Sequence, residues 1–452
     1  MIHRLGAMVA IVCIAAAAYA QTSVQPGRGS PAASGSASSG AATSGSATSG
    51  ADSASSGSAS SGSASPVTDD DLSDIEAAIG ADQAEAAETG ASQAPAQGAG
   101  QAAGALRALL NPDISVVLDV AAAAFSDQSQ ALQTGGHDPI HNGFNLQQLE
   151  LSFVKSVDPY FRFDSHLVFG PDGFELEEAY ATTLGLPAGL QVRAGQFLTQ
   201  FGRINATHPH TWAFVDQPFA IGRVFGGDGN HGVGVELSYL TPLPFYVLLV
   251  GSVTDPHGEG TARSFLGADE RELHNPLELQ KTIAAKEFFA LSDDWSLLTG
   301  VSFASAANAF GQHTRTDVYG ADAFLKWRPV TYQSNQQVTL QTEWLLRRAQ
   351  VGDARLQDLS GYAYAQWRFA ARWATAGRWD FGTPADGPVP DPLDPAWTAD
   401  RHRFTSDVTF WPTEFSRLRL QGSVDHAAWQ DPVWAAFLAL EVVVGAHGAH
   451  VF

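Results

Sequence analysis

Leu198–Asn230 reads LTQFGRINATHPHTWAFVDQPFAIGRVFGGDGN, and how this stretch is read decides the fold. It lies between two runs of alternating apolar and polar residues, yet it is too long for a turn. Trp212, Phe214, Val215, Phe219, Ile221, Val224 and Phe225 demand burial, while Arg203, His208, His210, Asp216 and Arg223 demand water or partners. Both demands are met if the segment folds into the mouth of a transmembrane β-barrel and narrows it. Arg203, His208, His210, Trp212, Asp216 and Arg223 are then the expected pore constriction. Long loops of this kind are usually functional.

The flanking sequence has the period of strands. Phe161, Phe163 and Leu167 alternate with Arg162, Asp164 and His166. Leu418, Leu420 and Val424 alternate with Arg417, Arg419, Gln421 and Asp425. Alternation alone fits a soluble sandwich as well as a barrel. Connection lengths separate the two. Strands are expected near 114–124, 144–155, 159–169, 174–184, 189–197, 231–240, 244–254 and 281–292. Eight more are expected near 295–306, 317–328, 336–348, 358–369, 371–381, 401–411, 415–425 and 434–444. Short turns such as Ser156-Val157-Asp158 and Asp293-Asp294 alternate with longer segments at 126–143, 198–230, 255–280, 307–316, 349–357, 382–400 and 426–433.

Short turns on one rim, long loops on the other and an even strand count define an all-β fold, an antiparallel transmembrane barrel of about 16 strands. Strands of about 9–12 residues suit a tilted membrane crossing. Closure leaves no unpaired edge in lipid. Trp295, Trp327, Trp373 and Trp411 fall near strand ends, where interfacial girdles belong. Residues 111–452 are assigned to this barrel, placing it in the bacterial outer membrane with lipid as its first partner. The focal segment becomes the third outer loop.

Upstream, residues 1–20 read as a secretory signal, with His3 and Arg4 before an apolar run and Ala18-Tyr19-Ala20 as a small-x-small cleavage site. Cys13, the single cysteine, lies inside it, so disulfides are excluded from the mature chain. Residues 21–110 are low in complexity and rich in Ser, Gly and Ala, which favours a disordered periplasmic tether. Only 68–81 has a helical pattern, with Leu72, Ile75 and Ile79 on one face, and such a short helix is marginal alone. The net charge of −22 argues against nucleic acid as a partner.

FNLQQLELSF, VDPYFRFD, VRAGQFLTQFG and HPHTWAFVD, between Phe144 and Asp216, resemble bacterial outer-membrane barrels of porin type. VRAGQFLTQFG is similar to a segment of phosphate-selective-type porins, and GAHGAHVF at the C-terminus resembles the end of that barrel family. Members are sometimes labelled zinc-regulated TonB-dependent receptors. That label implies a barrel of about 22 strands around a globular plug, which this chain is too short to form. The resemblance implies an outer-membrane channel and leaves the solute open.

Two groups of residues could carry function. The strand register sends Arg162, Arg193, Lys326, Arg328, Arg347, Arg372, Arg378, Arg403, Arg417 and Arg419 into the lumen, opposed by Asp164, Glu236, Asp322, Glu343, Asp380, Asp407 and Glu441. Arg372, Arg378, Arg417 and Arg419 form a ladder that would favour anions weakly; the alternative is that these arginines pair with carboxylates and brace the wall. The second group is His208-Pro209-His210 with His231 and Asp216, joined by His137, Asp138 and His141 of the first loop. Imidazoles at this spacing can ligate zinc, yet proline separates the pair and no spacing is diagnostic. No metal or other cofactor is therefore expected. Enzyme motifs are absent: Ser264 and His274 are present without a partner pattern. The expected function is passive diffusion of small hydrophilic solutes, without catalysis, by single barrels or homo-oligomers. A substrate- or metal-linked receptor, a barrel hydrolase and a surface anchor are the alternatives.

Overall fold

The computed structural model describes residues 113–171, 173–258, 260–330, 335–387 and 395–445. The expected signal, tether and helix over 68–81 lie outside these residues, as do the C-terminal His447, His450 and Phe452. Among the described residues the chain forms β1 (Asp113–Phe125), β2 (Gly143–Ser156), β3 (Phe161–Gly170), β4 (Gly173–Thr183), β5 (Leu190–Leu198) and β6 (His231–Leu240). β7 (Tyr246–Thr254), β8 (Gln280–Ala290), β9 (Trp295–Ala307), β10 (Arg315–Trp327) and β11 (Gln337–Val351) follow. β12 (Ala354–Ala370), β13 (Trp373–Gly382), β14 (Arg401–Thr413), β15 (Ser416–Ala427) and β16 (Val433–Gly445) complete the set. Each strand pairs antiparallel with its sequence neighbours, and β1 pairs with β16 to close the barrel.

The alternation seen in the sequence becomes an inside and an outside. Phe144, Val233, Val301, Leu420, Leu438 and Val444 are exposed on the outer surface, as a lipid-facing band requires. Their neighbours Glu236, Ser302, Arg419, Gln421 and Glu441 are buried inside. β7, apolar on both faces in sequence, resolves with Leu249 and Val253 outward and Ser252 and Thr254 inward. No described helix is long and apolar enough to cross a membrane.

One loop expectation is corrected. Segment 349–357 is not a long loop: β11 and β12 continue to Val351 and from Ala354, joined across Gly352-Asp353. Their side chains carry the pairing outward in register, with Arg347 opposite Asp358 and Ala349 opposite Leu356.

The third loop is folded into the barrel with an apolar core of its own. Phe201, Ile204, Ile221, Val224 and Phe225 pack with Ala262 and Phe265 of the fourth loop against Ala304, Ala306, Val318, Leu345 and Tyr362 of the inner wall. This explains why the loop's only α-helix, α1 (Phe219–Phe225), forms at all. Seven residues are too few to be stable alone, but all seven are buried here. Gly226 ends the helix at φ +102°, in the left-handed region, with its N–H bonded to the carbonyl of Gly222.

Candidate functional site: the constriction loop

A loop buried inside a barrel cannot leave its backbone groups to water, so the wall must supply partners. Arginines supply most of them. Arg417 donates to the carbonyls of His210 (2.8 Å) and Trp212 (2.9 Å), and Arg419 to that of Phe214 (2.7 Å). Arg378 donates to the carbonyl of Asp216 at 2.9 Å. In the other direction, Gln421 accepts from the Val215 N–H at 2.7 Å, and Glu343 accepts from those of Arg203 and Ile204 at 3.2 and 3.3 Å. Gly202 sits where an ideal Cβ would lie 1.6 Å from the Glu343 carboxylate, with φ +59°. Only glycine passes the wall this closely.

Asp216 is the centre of the clamp. Its buried carboxylate accepts from Arg378 (3.0 Å), Arg403 (2.9 Å) and Gln421 (2.7 Å). Burial alone would raise its pKa, but the facing Arg378 and Arg403 outweigh burial and hold it below the ordinary carboxylate value. Asp138 of the first loop is in the opposite state. It accepts from the N–H groups of Gln217 (2.8 Å) and Gly135 (2.9 Å), while burial, and then the charge of Asp216, push it up to about 6.

The expected lumen arginines reach the interior with few exceptions, but as members of ion pairs. Arg162 bonds Asp164 (2.8 Å), and Arg193 bonds Glu236 (2.9 Å) beneath the rings of Tyr180 and Phe197. Arg347 bonds Asp358 (2.7 Å), and Arg378 bonds Asp380 (2.8 Å) as well as Asp216. Arg403 and Arg401 share Asp425, and Arg417 and Arg419 share Glu441. Arg223, expected at the constriction, is buried against Asp358 at 3.0 Å, and burial, opposed by Asp358, lowers its pKa to about 10. Arg328 and Arg372 do not extend the ladder, because they lie past the ends of β10 and β12, in the connections that follow, and are exposed. The ladder is thus a set of braces holding the loop.

The half-buried residues of the loop are Gln200, Arg203, Ala206–His208, Thr211–Ala213, Gly227 and Asp228. The Arg203 guanidinium lies 3.8 Å from the Phe324 ring centroid and bonds Gln341 at 3.1 Å. Trp212 Nε1–H donates to Thr207 at 3.0 Å. A cavity of about 680 Å³ is lined by Gln133, Thr134, Gly222, Gly226, Arg263 and Arg401.

The histidines are regrouped relative to the sequence expectation. His208 reaches Glu177 (3.0 Å) through Nδ1 and Glu178 (3.1 Å) through Nε2. His210 lies 3.0 Å from Glu150, and His166 of β3 also lies 3.0 Å from Glu150. Burial alone would lower the His208 pKa, but Glu177 and Glu150, with the two hydrogen bonds, raise it well above its ordinary value. His231 and Asp216 are not part of this group: His231 begins β6 with its N–H on Thr261, and Asp216 belongs to the arginines. The sequence reading missed Glu150, Glu177, Glu178 and His166 as partners. Of the hydrolase candidates, Ser264 is buried, donating to the Val224 carbonyl and accepting from Arg347 (3.1 Å).

A closed 16-strand barrel with an apolar exterior, a polar inner wall and an infolded third loop defines an outer-membrane β-barrel of porin type. The chain is 32% identical over 347 residues to an uncharacterized protein of Aquifex aeolicus (strain VF5), covering 70% of this chain and 73% of that relative, and it belongs to the same family. No family model matches. Among solved structures, the outer membrane channel DcaP of Acinetobacter baumannii superposes with a TM-score of 0.50 at 10% identity, over 74% of this chain and 97% of that one. OprB of Pseudomonas putida gives 0.49 at 11% identity, over 76% and 97%. An anion-selective porin of Comamonas acidovorans gives 0.47 at 10%, over 74% and 99%. At these identities the likeness concerns the fold, and it does not reach a phosphate-selective or zinc-regulated class.

Proposed function

We propose that the protein is a porin-like channel for passive diffusion of small hydrophilic solutes, narrowed by its third loop. The observation that carries this reading is the clamp. A loop whose backbone is bonded to Arg378, Arg417, Arg419, Gln421 and Glu343 is a fixed part of the wall. It sets an aperture rather than swinging as a lid. No catalysis enters this mechanism, in which pore size and lumen charge select the solute.

Weak anion preference remains part of the reading, with a changed origin. The arginines of the ladder are neutralised by carboxylates, so they contribute little net field. Lys326 is half-buried and lies near half-buried Arg203 and exposed Arg328, and Arg328 lies near half-buried Arg368. This basic group faces the short-turn side of the lumen and supplies the asymmetry. The test is single-channel conductance of the refolded barrel in planar bilayers under a salt gradient. Stable steps with a small anion-side reversal potential are expected, and the potential should fall in the Lys326→Gln, Arg328→Gln double variant. A barrel that inserts but never conducts refutes the channel and favours the receptor, hydrolase or anchoring alternatives.

A further inference from the structure

We propose that the β2–β4 wall holds a binding site for one divalent transition-metal ion of the zinc class, ligated by Glu150, His166 and His208. One nitrogen or carboxylate oxygen from each of the three lies within 4.8 Å of the other two. The rings of His166 and His208 are 4.5 Å apart between centroids. Two imidazoles and one carboxylate are a donor set that holds zinc while leaving a fourth position for water. Imidazole nitrogen favours this class over calcium or magnesium, which take oxygen ligands.

The surrounding residues match what such a site needs. β4 carries a register shift opposite His166/Leu167, and Glu177 and Glu178, adjacent in sequence, are both buried. A bulge re-aims side chains in this way. With metal on one His208 nitrogen, the other N–H still donates to one of these glutamates, the carboxylate–histidine–metal arrangement that fixes a ligand ring. Ser152 Oγ bonds Glu150 at 2.7 Å, and His210 holds the second Glu150 oxygen. Elsewhere the loop is held largely by guanidinium groups of permanent charge. Here the wall offers carboxylates and the loop offers imidazoles, while nearby Arg193 is engaged with Glu236. A dication would offset three buried carboxylates in one place.

The experiment is calorimetric titration of the refolded, metal-stripped full chain with zinc chloride at neutral pH. One saturating equivalent is expected. His166→Ala and His208→Ala should each weaken it at least 100-fold, and Glu177→Gln roughly 10-fold. His274→Ala, at an exposed position of the fourth loop, should leave affinity unchanged. Because His208 also anchors the loop, variants are checked for heat-resistant gel migration, and cobalt is added to the unaltered protein. Intense visible bands of four-coordinate cobalt support the site without any substitution. Absence of both saturable zinc heat and cobalt bands overturns the proposal, as does zinc binding of unchanged affinity in folded His166→Ala.

Discussion

Replacing Asp216 with Asn removes the one charge that binds the third loop to two different wall strands. Breaking a buried ion pair costs about 3–5 kcal/mol when the partner is left uncompensated. Arg378 keeps Asp380 at 2.8 Å and Arg403 keeps Asp425 at 2.8 Å, so the loss belongs at the low end, roughly 3 kcal/mol. The barrel wall does not depend on this contact, so the cost falls on the closed position of the loop. Its open population should therefore rise about 100-fold. Arg223, 2% exposed, reports the opening, because trypsin cleaves after it only when the loop leaves the wall. When reclosing is faster than cleavage, the tryptic rate follows the open population. Asp216→Asn should be cut after Arg223 about 100-fold faster than the parent at neutral pH, with noisier single-channel steps. The carboxylate's depressed pKa adds a pH check: its stabilisation is present above the unfolded value of 3.8 and is lost as pH falls through the lower folded value. A cleavage rate within threefold of the parent would refute the clamp.

The remaining predictions concern the neighbours of that clamp. Asp138 has a folded pKa of about 6 against 3.8 in the unfolded chain, so the folded state holds an extra proton between those values. Stability should therefore fall as pH rises from about 4 to about 6, by on the order of 2–3 kcal/mol, and be flat above. Asp138→Asn should abolish that difference in urea midpoints measured across pH 4–7; parallel curves for the two proteins would count against it. Gly202→Ala must push aside Glu343, losing its bonds to two loop N–H groups, at roughly 3–5 kcal/mol including the left-handed backbone. Tryptic cleavage after Arg203 should accelerate accordingly, and an unchanged rate would mean the wall yields more readily than its packing implies.

The wall was legible because a membrane barrel imposes one rule on every strand: lipid outside, polar inside. That rule put Arg419 and Gln421 inward and Leu420 outward from sequence alone, as found. The infolding of the third loop was legible from its conflicting demands, since Phe225 and Asp216 cannot both be satisfied on a surface. What the sequence hid was partnership. Arg417 bonds carbonyls more than 200 positions away, and nothing local marks a side chain as serving another segment's backbone. The partners of the histidines were hidden for a related reason. Spacing joined His208 to His210, whose rings stack at 5.7 Å, and to His231; the fold adds glutamates on β4 through a bulge that alternation does not foresee. The expected loop at 349–357 failed because barrel strands can extend beyond the bilayer, where no apolar band limits their length.

His210 touches both sides of the place where the first and last strands meet. Its ring lies against Glu150 of β2, and its carbonyl is held by Arg417 of β15, so the loop spans β1 and β16 from within. Asp119 stands opposite Glu441 across this join. Two facing carboxylates repel, and the nearby guanidinium groups of Arg417 and Arg419 oppose that repulsion. The loop therefore bridges this join from inside the finished barrel. Chains in which this loop is displaced should part more readily between β1 and β16, so the segment inside the barrel also bears on how firmly its ends are joined.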